Sequence, residues 1–290
     1  MTRQITIGQF SQSPVLAAAH HLGLLAGAGL EVHVERVPSS PGQFEWLRDG
    51  TIDVAITSPD NVLLYATTEN NPIGTKLGLR MLRAIDRGLG LSLVTRPEVD
   101  LTSIEVPVRM GVDVLRSGFA FLLRSMLTSL DVAPHDLDFV EVGSTPKRMG
   151  LLLAGDIDGT ILNAESMVEA VAAGMRAWLT SADVSKNYLG TVIAVGTDFD
   201  QELADDFLTV WAEATNWLLI APQTEVAEML AAVDPRLGTS AYLDVLRDPH
   251  TGLLANPAIT VQDLQILCDI RAAAGAYFPS SEEIGRLISA

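Results

Sequence analysis

The stretch GTIDVAI at residues 50–56 returns as GDIDGTI at residues 155–161. The offset from Asp53 to Asp158 is 105 residues, and three further landmarks recur at nearly the same spacing. Internal repetition of this kind predicts two similar structural units, called lobes below. The alternative is that two generic α/β units of similar length follow one another. The other landmark pairs are Gly8 with Gly111, Ser13 with Ser117, and residues 38–40 with residues 143–145.

Each copy of the repeat reads as strands alternating with helices. In the first copy, the alternation at residues 5–7 indicates a strand, and the Ser-Pro pair at residues 13–14 is a helix start signal. Further strands are expected at residues 31–37 and 54–57, with a short helix around residues 43–48 between them. A β-α-β-α-β order is typical of a parallel sheet. We therefore predict an α/β fold in which each lobe is a mostly parallel sheet flanked by helices.

Two segments are expected to connect the lobes. Strands at residues 81–85 and 91–95, joined by a tight turn, lead from the first lobe into the second, and a strand at residues 191–195 leads back. Two crossings of this kind make a double-strand hinge. The remainder of the chain reads as helical. The prediction is that residues 1–99 and 189–290 form a discontinuous lobe 1 with a helical C-terminal tail, and that residues 100–188 form lobe 2.

The composition limits the possible partners. The chain of 290 residues has 19 basic and 36 acidic residues, and its formal net charge of −17 opposes binding to nucleic acid and to anionic membrane surfaces. The single cysteine, Cys268, excludes an internal disulfide and a metal site built from cysteines. We expect a small molecule as the ligand, with no metal, no cofactor and no nucleic acid.

The N-terminal region carries no recognisable leader. Residues 1–4 run directly into the first expected strand, and the apolar stretch at residues 15–28 is interrupted by two histidines and by glycines. This stretch is shorter than the roughly 20 residues that a membrane span requires. We therefore expect no membrane insertion. The expected location is cytoplasmic for the sequence as written, and periplasmic or extracellular if a leader was removed.

The ligand site is expected at the carboxyl ends of the parallel strands. There, helix N-termini present unpaired backbone N–H groups, and two facing lobes bring equivalent loops to one cleft. Serine also caps helices where no ligand binds, so each serine has a purely structural alternative. The predicted ligand-binding residues are Phe10, Ser11, Ser13, Ser39, Ser58, Asn61, Arg87, Ser117, Phe119, Ser144, Asn163 and Glu165.

Three carboxylates are candidates for proton transfer. Asp60 and Glu165 occupy equivalent positions 105 residues apart, and two carboxylates that face each other across a cleft are able to act as acid and base. Their alternative role is in the first turn of a helix, where negative charge is favourable. Asp86 and Arg87 fall in the connecting turn, where Arg87 is a candidate clamp for a carboxylate or sulfonate. The alternative for this pair is an ordinary surface turn.

The order of these landmarks resembles a known family, the type II periplasmic solute-binding proteins of ABC transporters. Within that family, the sequence is most similar to the group that serves thiamine-pyrimidine precursors, aliphatic sulfonates and taurine. The resemblance implies a two-lobed type II periplasmic-binding-protein fold that closes around a small organic ligand, anionic or aromatic. It also implies a permease partner if the chain is exported, with a monomer or a homodimer as the binding unit. The residues that carry the resemblance are 7–14, 23–32, 50–55, 111–113, 143–144 and 155–158.

Enzymes on the same fold give the alternative function. Members of the fold that the resemblance implies include chorismate dehydratase, dihydroxyphthalate decarboxylase, biphenyl sulfinate desulfinase and the suicidal pyrimidine phosphate synthase. The desulfinase carries a cysteine in its first loop, where this chain reads FSQSP at residues 10–14. The alternative is therefore a cytoplasmic, cofactor-independent lyase of the decarboxylase, dehydratase or desulfinase kind, in which Asp60, Glu165, Asp86 or a histidine transfers the proton.

The net charge bears on the ligand in both functions. An anionic ligand has to be attracted against the field of the whole molecule, by helix ends and by a few arginines such as Arg87 or Arg148. Arg148 belongs to the first turn of an expected helix, a position that disfavours positive charge unless an anion lies nearby. A neutral or aromatic ligand is therefore a rival to an anionic one.

Overall fold

Ten strands form two five-stranded sheets in the computed structural model, which describes residues 2–255 and 257–288. In both halves the strands alternate with helices, as the repeat predicts. The strands are β1 (Arg3–Gln9), β2 (Leu30–Arg36), β3 (Val54–Thr57), β4 (Leu79–Asp86), β5 (Ser92–Thr95), β6 (Val108–Val112), β7 (Leu137–Glu141), β8 (Gly159–Leu162), β9 (Arg176–Thr180) and β10 (Thr191–Gly196).

The described residues also form thirteen α-helices and two short 3-10 helices, Pro134–Asp136 and Pro235–Gly238. None of the helices described is long and apolar enough to cross a bilayer. The α-helices are α1 (Pro14–His21), α2 (Leu24–Gly27), α3 (Ser40–Arg48), α4 (Pro59–Thr67), α5 (Gly118–Ser129), α6 (Thr145–Ala154), α7 (Ala164–Ala172), α8 (Ser181–Val184), α9 (Gln201–Ile220), α10 (Gln223–Val233), α11 (Ser240–Leu246), α12 (Val261–Ala273) and α13 (Ser281–Gly285).

The two sheets have the same topology. The strand order is β2-β1-β3-β10-β4 in one sheet and β7-β6-β8-β5-β9 in the other. In each order the first three strands are parallel, and the fourth is antiparallel to both of its neighbours. Four of the five strands in each sheet therefore run in one direction. The prediction of an α/β fold with two mostly parallel sheets is confirmed.

The repeat extends to individual contacts. A β-carbon built on Gly8 would lie 2.5 Å from Ile52 Cδ1, and one built on Gly111 would lie 2.5 Å from Ile157 Cδ1. Both glycines thus leave space for the isoleucine of the repeated Gly-x-Ile-Asp turn. The aspartates that follow these isoleucines make equivalent hydrogen bonds. Asp53 accepts one from the Thr6 amide at 2.7 Å, and Asp158 accepts one from the Arg109 amide at 2.9 Å.

The sheets exchange strands across the predicted lobe boundary. β5, which the predicted division at residue 99 places in lobe 1, pairs with β8 and β9 in the second sheet. β10, which follows the second sheet in the chain, lies between β3 and β4 in the first sheet. The connecting segments are residues 87–91 and 181–190. We propose these two segments as the lobe boundaries, so that lobe 2 starts at β5.

The C-terminal helices pack against both lobes. α12 contacts α5 of lobe 2, while α11 and the second 3-10 helix contact α7 of lobe 2. Leu264, Leu267 and Cys268 of α12 belong to one continuous apolar core with Met81 of the first sheet and Met110 of the second. α9 instead packs against α1 in a second core. The segment predicted as a helical tail therefore joins the lobes.

Candidate functional site

Six helices begin at the carboxyl ends of parallel strands. α1, α3 and α4 follow β1, β2 and β3, and α5, α6 and α7 follow β6, β7 and β8. Each starts after a residue whose side chain is able to cap the helix, and four of them have proline in the first turn, which suits the helical backbone there. We call the space between these six helix starts the cleft. The residues that precede the helices are Ser13, Ser39, Ser58, Ser117, Ser144 and Asn163.

Five of these side chains cap their own helices. The side-chain oxygens of Ser13, Ser39, Ser58, Ser117 and Asn163 accept backbone N–H groups at 3.1–3.4 Å, whereas Ser144 makes no such bond. A serine hydroxyl that accepts a cap bond still has its own proton to donate. Ser117 already donates its proton to Asp113. Ser13, Ser39, Ser58 and Ser144 keep a donor for a ligand.

The other predicted contact residues lie in the same loops. Phe10 is 39% exposed, and Ser11 beside it is exposed. Asn61 in the first turn of α4 donates to the Thr57 hydroxyl at 3.2 Å. Phe119 is half-buried and packs against the main core, so less of its ring is open to a ligand.

Helix starts from the two lobes meet at Asp60 and Gly118. Asp60 is in the first turn of α4, and Gly118 is the first residue of α5. A β-carbon built on Gly118 would lie 2.7 Å from Cγ and Oδ2 of Asp60, so any larger residue at this position would displace the carboxylate. The cleft is therefore bridged at this point by direct contact between the lobes.

Asp60 is bound by an arginine from the C-terminal segment. Nη1 of Arg271 donates to both Asp60 oxygens at 2.8 and 2.7 Å, and both side chains are at most 5% exposed. Nε of Arg271 donates to the Tyr277 carbonyl at 2.7 Å, and the guanidinium lies 5.2 Å from the Phe121 ring centroid. Burial raises the pKa of Asp60, and Arg271 opposes that rise.

Glu165, the counterpart of Asp60 in the second repeat, is also bound by an arginine of the C-terminal segment. Nη2 of Arg236 lies 2.8 Å from Glu165, and the same guanidinium also binds Asp234 at 2.6 Å. Burial raises the pKa of Glu165, with Arg236 opposing. Asp60 and Glu165 were predicted as an acid–base pair or as first-turn carboxylates. The structure places both in the first turns of their helices and engages each with a C-terminal arginine.

Gln43 and Arg148 occupy equivalent buried positions, 105 residues apart, at the carboxyl edges of the two sheets. Nε2 of Gln43 donates to the carbonyls of Gly8 and Ile56 at 2.9 and 3.1 Å. Arg148 is 2% exposed and donates only to neutral oxygens, at 2.6–3.2 Å. Burial lowers the pKa of its guanidinium, and Asp113 opposes this. The acceptors for Arg148 are Thr160 Oγ1, Thr145 Oγ1 and the carbonyls of Gly143 and Ile161.

Asp86 is the last residue of β4, and Arg87 is the first residue of the connecting segment that follows. Asp86 is 2% exposed and accepts a hydrogen bond from the Gly88 amide at 2.8 Å. Burial raises its pKa to about 6, while bonds from Thr191 and Gly88 act in the opposite direction. Arg87 is half-buried, and its Nη1 lies 3.8 Å from Asp263 of α12. The alternative of a solvated surface turn is therefore wrong for Asp86.

Arg236, Arg271 and Gly118 were missed from the sequence. The two arginines are isolated residues within helical segments, about 70 and 210 residues from their carboxylate partners. Gly118 offered one signal, because it is a glycine at the start of a helix beside a capping serine. In residues 2–255 and 257–288, no group of three or more histidine, cysteine or acidic side chains is arranged to hold a metal ion.

The chain matches one family by sequence and several solved structures by fold. A search of curated protein sequences gives no match. The alkanesulfonate-binding protein SsuA from Xanthomonas axonopodis pv. citri, bound to MOPS, superposes with a TM-score of 0.77 at 14% identity, over 100% of this chain and 99% of that one. The periplasmic nitrate-binding protein NrtA from Synechocystis PCC 6803 gives 0.78 at 13% identity, over 99% and 85%.

An enzyme is also among the structural matches. The desulfurization enzyme DSZB superposes with a TM-score of 0.63 at 14% identity, over 94% of this chain and 92% of that one. At such identities the likeness shows the fold alone, and it confirms the predicted two-lobed binding-protein architecture. The sequence model of the NMT1-like family matches residues 2–233, about four-fifths of the chain. The chain therefore belongs to the NMT1-like family.

Proposed function

We propose that this protein is a substrate-binding component that holds one small organic molecule between its two lobes and delivers it to an ABC-type permease. The observation that carries the proposal is the set of six helix starts at the carboxyl ends of the parallel strands, five of them capped by their own side chains. Serine hydroxyls, backbone N–H groups and the ring of Phe10 supply polar and apolar contacts there. The structural matches named for sulfonate and nitrate binding support the same function.

The lyase alternative has weaker support. A general acid or base has to be free to exchange a proton with the substrate. Asp60 and Glu165 are each bound by an arginine, and Asp86 is packed at the end of β4 against Gly88 and Gly190. None of these three carboxylates is therefore well placed for proton transfer, whereas a binding site needs no such group.

The proposal extends to partner and location. An ABC-type permease acts at the membrane, so its binding component works on the side from which the solute arrives. NrtA is named as a periplasmic protein, and we propose the same compartment for this chain. Fractionation of source cells, followed by detection of the chain with an antibody, is the measurement. Recovery with cytoplasmic markers would contradict the proposed compartment, and a gene neighbourhood without a permease or ATPase would contradict the proposed partner.

The first experiment is native mass spectrometry of the protein purified from its source. We expect a species heavier than the chain by the mass of one small molecule, which is lost on denaturation. The recovered compound is then titrated into the refolded protein by calorimetry. A protein that carries no compound, and binds none from a source-cell extract, would contradict the proposed function.

Variants of the cleft serines locate the site. Ser58→Ala is expected to weaken binding of the recovered compound about tenfold, because a hydroxyl donor is removed from the cleft. The same change also removes a helix cap, which costs about 1 kcal/mol of stability. Ser280→Ala is the matched control, because Ser280 caps α13 outside the cleft. Equal affinity of the wild type and both variants would show that Ser58 does not contact the ligand.

A further inference from the structure

The Asp60 carboxylate lies where an anionic ligand would meet helix α5. The helix has 12 residues, begins at Gly118 and is capped by Ser117. The first N–H groups of a helix carry partial positive charge, which stabilises an anion placed against them. Asp60 packs directly on Gly118, so the protein's own carboxylate occupies this position.

The nearest buried cation is already neutralised. Arg271 binds both oxygens of Asp60 and is anchored on its other side by the Tyr277 carbonyl. Arg148, the other buried arginine beside the cleft, donates to four neutral oxygens of its own lobe. Asp113, a carboxylate that is bound by Ser117, acts on the charge of Arg148 and opposes the lowering of its pKa by burial. Every guanidinium nitrogen of Arg148 is therefore bonded within the protein, and Arg271 is bonded through Nε and Nη1.

A buried acceptor at the sheet edge has no partner. Gln43 is fully buried, and its Nε2 faces the two carbonyls of Gly8 and Ile56, which fixes the orientation of the amide. Its Oε1 has no hydrogen-bond partner among the described residues. An acceptor oxygen is satisfied by an N–H or O–H donor and repelled by an anion. The net charge of −17 adds a long-range repulsion of the same sign.

We propose that the cleft selects an uncharged small molecule, and that Asp60 is the residue that excludes anions from it. The inference rests on the proposed function and names its ligand class. The chain would thereby differ in ligand from the sulfonate-binding and nitrate-binding proteins that share its fold.

Calorimetric titration with nitrate and with methanesulfonate, at constant ionic strength in chloride, tests the proposal. The wild type is expected to show no saturable binding of either anion. Asp60→Asn removes the carboxylate charge, so that Arg271 and the start of α5 no longer have an anionic partner within the protein. We expect this variant to gain saturable binding of at least one of the two anions. The double variant Asp60→Asn with Arg271→Gln is expected to lose that gain.

Asp206→Asn is the matched control. It removes one carboxylate charge from an exposed ion pair with Arg3, remote from the cleft, and is expected to leave the wild-type result unchanged. Saturable binding of either anion by the wild type would overturn the proposal, as would a folded Asp60→Asn protein that gains none. If Asp60→Asn does not fold, the wild-type titrations decide alone.

Failure of this inference is distinguishable from failure of the proposed function. An anion retained in native mass spectrometry, or bound in the titrations, would refute the ligand class and leave a binding protein. A wild type that binds neither anions nor any recovered compound would refute the proposed function itself. A neutral retained compound supports both.

Discussion

At the scale of single residues, the most perturbed carboxyl group outside the cleft is Asp86. Its pKa in the folded protein is about 6, above the 3.8 of an unfolded aspartate, because the side chain is buried. The folded state therefore holds a proton between these two values, and stability falls as the pH rises from about 4 to about 6. Above that range the cost of the buried charge is constant, at about 3 kcal/mol.

Asp86→Asn removes this cost while keeping an oxygen to accept the Gly88 amide. We expect the variant to be more stable than the wild type near neutral pH, by up to about 3 kcal/mol, with the difference shrinking towards about pH 4. Urea unfolding of both proteins across this pH range measures the difference in the free energy of unfolding. The contributions of all other titrating groups cancel in this difference. Parallel pH profiles would contradict the burial of a charged Asp86.

At the scale of elements, one prediction applies at equivalent positions in the two lobes. Gly8→Ala and Gly111→Ala each place a β-carbon against the isoleucine of the repeated turn, and each should cost about 1–3 kcal/mol. Gly150→Ala in helix α6 is the matched control, because it has no neighbour within 4 Å and should gain about 0.5–1 kcal/mol. Thermal unfolding of the three variants gives the comparison. Equal costs at all three positions would show that the close contacts at Gly8 and Gly111 have no energetic effect.

The helices and strands were the part of the structure that the sequence predicted best. The Ser-Pro helix start at residues 13–14, the serines that precede helices and the Gly-x-Ile-Asp turns predicted the strands and helices of the repeat, because these signals act within a few residues. Strand β9 lies outside the repeated pattern and was not predicted. The pairing of β5 with the second sheet could not be predicted in the same way. Its sequence, SLVT, suits a buried strand in either sheet, and only tertiary packing decides between them.

Less of the candidate site than of the fold could be predicted from the sequence. Asp60 and Glu165 were identified from the repeat, but their arginine partners belong to helical segments that have no counterpart in the repeat. A lone arginine in a helix carries no signal of what it binds, because side-chain pairing over about 70 or 210 residues depends on the three-dimensional path of the chain. The contact predictions for the cap residues remain predictions.

At the scale of the whole molecule, the pair of Asp60 and Arg271 connects three regions, namely lobe 1, lobe 2 and the C-terminal segment. Asp60→Asn leaves a buried arginine uncompensated and should cost about 3–5 kcal/mol. The double change of Asp60→Asn with Arg271→Gln should cost less than the sum of the single changes. Urea unfolding of the four proteins measures this coupling. An additive result would show that the two side chains stabilise the fold independently.

An exposed ion pair provides the control for this cycle. Arg3 and Asp206 form an ion pair with side chains 36% and 44% exposed, and Asp206→Asn should cost less than about 1 kcal/mol. Because the residues compared differ mainly in burial, the contrast between Asp60→Asn and Asp206→Asn isolates the effect of removing a charge partner in the interior. Similar costs at the two sites would contradict the described burial of Asp60.

The position of β10 has a consequence for synthesis of the chain. This strand lies in the middle of the first sheet, yet more than 130 residues separate it from its neighbour β3. While the chain emerges from the ribosome, the first sheet has an open edge on β3 until β10 is made, whereas all five strands of the second sheet are contiguous in sequence. Non-local strand pairing is slow, and an open edge is prone to aggregation. The second sheet is therefore expected to fold first, and the first sheet closes around β10 only as the C-terminal helices arrive.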